Sequence, residues 1–152
     1  STPRTPRTAD RPGRYSRPMA DLGNPRYVRF TNFRKNGSAV STPVWFASFG
    51  NEWVFSSAPD AGKMKRLRND SRVEITASDV RGRVRGGTPV FSGRARVLDV
   101  SEHDAAERAM RKRYGWQWSL LRLSEKVRGI VGINAEPAYI AVELGEVLRT
   151  EP

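Results

Sequence analysis

The chain has 152 residues, no cysteine, a single histidine (His103) and a net charge of +11. A length like this suits one domain, able to bury about 68–70% of its unfolded surface without covalent staples. The missing thiols exclude disulfides, thiolate nucleophiles, iron–sulfur clusters and cysteine-ligated zinc, and one histidine disfavours a histidine-rich metal site or a Ser-His-Asp triad.

Residues 1–18 (STPRTPRTADRPGRYSRP) carry five arginines against one acid, Asp10, and Tyr15 is their one large apolar side chain. Such a segment buries too little surface to offset its ordering entropy, so a disordered extension is expected. The domain proper is expected over residues 19–152. Removing the +4 of the extension leaves +7 on the domain, so the surplus is not only a tail effect. Residues 19–23 are expected to form a short helical turn ended by Pro25.

Arg26 to Arg34 mixes aromatic and β-branched residues and predicts a strand. Asn36-Gly37 predicts a hairpin, because both residues tolerate positive φ. Ser38 to Ser48 reads as the second strand, with Pro43 marking a bulge or an edge. Phe49-Gly50-Asn51 is a turn, and Glu52 to Ser57 the third strand. A helix is expected after Pro59, with Asp60 as its N-cap and Met64 and Leu67 on one face. Arg72 to Asp79 alternates apolar and polar residues as a half-buried strand. Residues 81–96 hold five arginines and no acid, with a turn at Gly86-Gly87. A strand is expected over 90–100, then a helix from Ser101 to about Tyr114 opened by a capping box at Ser101–Asp104. A second helix over Gln117–Val127 and a last strand over Ala138–Leu144 complete the count: about six strands, mostly antiparallel, which tend to close into a barrel because closure removes edges.

Chemistry concentrates at the junction Ser56-Ser57-Ala58-Pro59-Asp60-Ala61-Gly62-Lys63. A strand ends in two hydroxyls and a helix opens with Gly62 and Lys63, with Lys65, Arg66 and Arg68 close behind. Backbone amides and the macrodipole at a helix N-terminus favour an anion, and glycine lets an oxyanion approach the backbone. The competing reading, a solvated basic helix, weighs about as much from pattern alone.

These residues, with FRKNGSAVSTPVWF, VFSGRARVLD and KRYGWQ in that order, resemble the split β-barrel flavin and deazaflavin oxidoreductases, the pyridoxamine-phosphate-oxidase-like superfamily. Within it the likeness is to the actinobacterial F420-dependent branch, over roughly Arg26 to Leu144. The resemblance implies a mainly β fold with peripheral helices, a six-stranded antiparallel split β-barrel forming a homodimer with cofactor sites at the interface. It implies a phosphate-binding role for Lys63, supported by Arg66 or Arg68, with Ser56 and Ser57 near the phosphate. Thr42, Pro43, Val44 and Trp45 would line the ring system. The pyridoxamine phosphate oxidases carry an arginine-x-valine-leucine run on that strand; this chain has Ser41-Thr42-Pro43-Val44-Trp45. That departure argues against pyridoxamine phosphate as substrate and leans toward coenzyme F420, a polyanion, with FMN as the alternative.

The implied activity is hydride transfer from reduced F420 to an electrophilic small-molecule acceptor, with the electrons carried by the cofactor. A protein that stores or sequesters a cofactor is the non-enzymatic alternative. No residue is singled out as catalytic; Tyr139, Tyr114, Asp79 or a water are the candidate proton sources. Trp45 is either a lid on the cofactor or a core residue. Trp116 and Trp118 either shape a pocket or pack between helix and barrel, and His103 is expected on the surface. Arg81, Arg83 and Arg85 form a solvated face or bind an oligoglutamate tail. Nucleic acid is disfavoured as partner, for want of interleaved exposed aromatics. No run approaches the 18–20 apolar residues of a membrane helix and no apolar signal region opens the chain, so a cytoplasmic location is expected.

Overall fold

The computed structural model describes Leu22, residues 24–127 and residues 137–152. The expected disordered extension, and residues 19–23 other than Leu22, lie outside them.

Seven strands form one antiparallel sheet: β1 (Tyr27–Phe33), β2 (Ala39–Val44), β3 (Ala47–Phe49), β4 (Glu52–Ser57), β5 (Arg72–Ser78), β6 (Pro89–Val97) and β7 (Ala138–Thr150). Their order is β2-β1-β5-β6-β7-β4-β3. The two edge strands, β2 and β3, are consecutive in sequence and separated only by Trp45 and Phe46. Three residue steps from Val44 to Ala47 span at most about 11 Å. The sheet therefore has to curl until its edges meet, which makes the split barrel.

The strand count is seven rather than six because the expected strand Ser38–Ser48 breaks in two. Its first part pairs with β1 up to Val28↔Val44, and its second with β4 from Ala47↔Val54. The break has a cause 68 residues away: the Tyr114 hydroxyl takes the Phe46 amide hydrogen at 2.8 Å, so a side chain replaces the ladder partner.

The β1–β2 loop also departs from the two-residue form. Arg34 and Ser38 close it, with Gly37 N–H donating to the Arg34 carbonyl, and only Gly37 has positive φ, at 87°. Asn36 instead accepts the Ser38 amide through its side chain, an Asx-type closure.

The last strand runs to Thr150, not Leu144. Two register shifts between Val90 and Gly93 let residues past Leu144 go on pairing with Pro89–Phe91, as β-bulges do. The sixth strand ends at Val97, and Val100–Glu102 is a 3-10 turn. Its capping box uses Asp99 and Glu102 rather than Ser101 and Asp104, because the 3-10 turn starts before the helix does.

Alternation along the strands splits the apolar residues between two cores. Val28, Phe30, Val44, Phe46, Phe55 and Ile140 are among those filling the barrel, joined by Leu22. One end of the barrel is covered by helix α1 (Gly62–Asn69), whose two buried residues are Met64 and Leu67. On the outer face, Val54, Tyr139 and Ala141 pack against Ala106, Met110 and Tyr114 of α2 (His103–Tyr114) and Trp118 of α3 (Trp116–Val127). Trp118 is fully buried while Trp116 stays 72% exposed, so packing between helix and barrel accounts for the former only. His103 is half-buried rather than on the surface, its ring edge-on to Tyr139 at 5.1 Å.

Candidate functional site

The strand–helix junction places its groups around Asn32, a residue that pattern reading does not single out. Asn32 shares the inner face of β1 with Val28 and Phe30 and is 1% exposed. Its side-chain amide donates to the Lys63 carbonyl at 3.1 Å, and its oxygen accepts from Arg66 Nε at 2.8 Å. A buried carboxamide on β1 thus fixes the first turn of α1 and one of its arginines. The bonds join residues 31 and 34 positions apart, beyond the reach of any local motif.

Lys63 Nζ lies over the Phe55 ring, 5.9 Å from its centroid. Burial strips water from the ammonium and Arg66 adds like-charge repulsion, so the Lys63 pKa is pushed below 10.5. The Arg66 pKa is lowered too, first by burial and then by Arg34. The Arg66 Nη1 atom stands 2.9 Å from where a Cβ on Gly62 would sit, so the guanidinium folds back over the helix's first turn.

That turn holds no acidic residue, and the N-cap is Ala61, with no side-chain cap; Asp60 lies one residue too early. Positive macrodipole, lysine and arginine therefore meet at one point. Among the described residues no carboxylate pairs with Lys63, Arg66 or Arg34. The other basic regions are different. Arg72 pairs with Asp70 at 2.7 Å and Arg149 with Glu74 at 2.6 Å. Arg72 and Glu74 line a cleft of about 540 Å³ together with Phe33, Val73, Leu144 and Leu148. In the arginine loop, Arg83 pairs with Asp79 at 2.8 Å, while Arg81 and Arg85 are exposed. Lys63 and Arg66 are half-buried and, among the described residues, without a carboxylate partner.

The expected site residues divide around this cluster. Lys63 and Arg66 are brought together, and Ser57 is buried at the end of β4, its hydroxyl donating to the Ala58 carbonyl at 3.1 Å. Thr42 pairs with Phe30, two residues and about 7 Å along β1 from Asn32. Val44 lies deeper on the same inner face. Arg68 is exposed on α1. Pro43 lies on the opposite face of β2, paired with Arg29 and against Gly82, whose φ is +79°. Ser56 pairs with Tyr139 on the face turned to α2.

Trp45 stacks on Tyr114, with centroids 4.3 Å apart and planes 19° apart, and Arg26 lies over both rings. It is a packed side chain of the helix-facing core. Two of the candidate proton sources are engaged elsewhere. The Tyr114 hydroxyl is held by backbone groups and burial raises its pKa. The Asp79 carboxylate accepts from the Arg81 and Arg83 amides and from Arg83 Nε, which holds it below the usual carboxylate range. Tyr139, on β7, is buried in the core beneath α2.

Residues 19–141 match the pyridoxamine 5'-phosphate oxidase family, and the chain belongs to it. Several solved structures share the fold. A heme storage protein from Vibrio cholerae aligns at 10% identity over 84% of this chain and 87% of its own, with a TM-score of 0.58. An FAD-binding protein from Mesorhizobium loti aligns at 20% identity over 85% and 86%, with a TM-score of 0.57. A pyridoxamine 5'-phosphate oxidase-type protein from Listeria innocua aligns at 13% identity over 90% and 96%, with a TM-score of 0.55. No curated protein matches the chain. Among the described residues no helix is long and apolar enough to cross a membrane, and no group of three or more His, Asp or Glu side chains gathers to hold a metal.

Proposed function

We propose that the protein is an F420-dependent oxidoreductase that delivers a hydride from the reduced deazaflavin coenzyme to an electrophilic small-molecule acceptor. The observation that carries this reading is the pair Lys63 and Arg66 on an uncapped helix, with Arg34 of the β1–β2 loop adding its charge to Arg66 and no carboxylate partner among the described residues. An anionic group of the cofactor is the partner that chemistry supplies. Lys63 and Arg66 hold that group, Asn32 fixes both, and the inner-face residues Thr42 and Phe55 border it. When bound, the deazaflavin ring supplies the redox chemistry. The chain's own residues bind, orient and keep water from the anionic end.

The surplus of positive charge favours F420, whose phosphate and oligoglutamate tail are both anionic. FMN is the second reading, favoured by membership of the pyridoxamine 5'-phosphate oxidase family. The heme storage neighbour raises a third cofactor. The one histidine, however, packs against Tyr139 on the other face of the sheet from Lys63, so the cation cluster offers no imidazole to iron. In keeping with the resemblance, we further propose a homodimer; exposed Val147 and Leu148 on β7 support an apolar contact there.

Parallel titrations with oxidised F420, FMN and hemin, followed by tryptophan quenching and visible absorbance, test the assignment. The expected result is saturable micromolar binding of F420, weaker binding of FMN, and no shifted Soret band. No binding of F420 by the intact protein would overturn the F420 reading, and tight copurifying flavin absorbance would replace it with the FMN one.

A further inference from the structure

We propose that Asn32 is the positioning residue of the anion site, holding the Lys63 backbone and the Arg66 guanidinium in one arrangement so that their charges converge on a single anionic group. The inference rests on the anion-site reading above and adds a residue that does not itself carry charge.

The geometry calls for a side chain that both donates and accepts and is long enough to reach both partners. The Lys63 carbonyl can only accept and Arg66 Nε–H can only donate, so the group between them has to donate on one side and accept on the other. Asn32 does both, at 3.1 and 2.8 Å. An aspartate could take the arginine but not the carbonyl, and an apolar residue neither. Burial makes the arrangement rigid: Asn32 is 1% exposed, and a buried amide that lost its partners would be left unsatisfied. With Nε committed, the Arg66 guanidinium turns its Nη1 edge toward Gly62 at the head of α1. Arg66 would otherwise swing away from Lys63 and Arg34, since it meets like charge from both. The bond to Asn32 opposes that repulsion until an anion arrives.

The test uses inorganic phosphate as probe and two-dimensional ¹⁵N spectra as readout, following the Gly62 and Lys63 amides, the Asn32 side-chain amide and Arg66 Nε–H. In the wild type all four are expected to shift with one midpoint. Asn32→Leu and the milder Asn32→Ser are expected to weaken phosphate about tenfold or more, the scale of a hydrogen bond to a charged group. In an Arg66→Met background, where there is no guanidinium to aim, the same changes are expected to cost much less. Binding within twofold of wild type for either Asn32 variant overturns the inference and leaves the anion site standing. A penalty of equal size with and without Arg66 also overturns it, because that is what a merely structural asparagine would give. Wild-type spectra in which Gly62 and Lys63 shift but Asn32 and Arg66 Nε do not overturn it without any variant. Wild-type spectra in which none of the four responds remove the anion site and this inference together.

Discussion

The Tyr114 hydroxyl accepts the Phe46 amide hydrogen at 2.8 Å and shares its own proton between the carbonyls of Arg26 and Phe46, at 2.9 and 3.1 Å. One side chain at the end of α2 thus satisfies the two-residue crossover where the sheet's edges meet. Arg113, its neighbour, donates to the Pro25 carbonyl at 2.6 Å and ties the same helix end to the entry of β1.

Tyr114→Phe leaves the buried Phe46 amide without its partner while keeping the ring that stacks on Trp45. An unsatisfied buried donor costs about 1–3 kcal/mol, and urea denaturation is expected to show a loss of that size with an unchanged m-value. Tyr114→Ala should cost more, since it also removes the stacked ring.

The depressed Lys63 pKa has a defined sign. The folded state binds this proton more weakly than the unfolded chain does, so protonation opposes folding. The Lys63 contribution is therefore expected to grow more favourable as pH rises from the lowered folded value toward 10.5. Lys63→Met should flatten the rise, which paired denaturation curves across that window would reveal. A bound anion reverses the trend: it favours the ammonium, so its affinity should fall as pH climbs through the lowered pKa.

At the acid end the carboxylates carry the dependence. Asp70, bonded to the Arg72 side chain and amide, is held down to about 2 from 3.8. Its contribution is present above 3.8 and is lost as pH falls toward about 2. Carbon-13 titration of the carboxyl is expected to place its midpoint well below that of an ordinary aspartate. Solvent exposure keeps the stability effect small and salt-sensitive.

Much of this architecture was legible locally. Glu52–Ser57 is a strand in the expected bounds, and Arg72–Ser78 differs by one residue from the expected strand. Gly50, with φ at 61°, turns the two-residue connection between β3 and β4 as expected. What escaped was set by distant partners. The break at Trp45–Phe46 depends on Tyr114, and the extension of β7 depends on bulges in its pairing with β6. In the candidate site, Lys63 and Arg66 announced themselves by charge and spacing. Asn32 did not, because a lone asparagine inside a strand carries no periodic or motif signal. Pro43 and Ser56 sit next to inner-face residues in sequence, and strand alternation turns them to the other side.

Gly93, on β6 between β5 and β7, sits where neighbouring strands leave no room for a side chain. A Cβ there would stand 2.9 Å from Val142 Cγ1, 3.1 Å from Val73 Cγ2 and 3.2 Å from the Glu143 carbonyl. The last is backbone and cannot rotate away. Gly93→Ala is expected to destabilise by about 1–3 kcal/mol through overpacking, seen as a lowered melting temperature.

The central claim, that the Lys63 cluster receives the anionic end of a deazaflavin coenzyme, is tested most directly by one comparison. Wild type and Lys63→Ala are titrated with F420 and with its chromophore lacking the phosphate, following tryptophan fluorescence. Wild type is expected to prefer F420 by about 10–100-fold, as charge-assisted hydrogen bonds allow, and Lys63→Ala to lose most of that preference while still binding the bare chromophore. Equal affinity of wild type for the two ligands, or a preference untouched by the loss of Lys63, would contradict it.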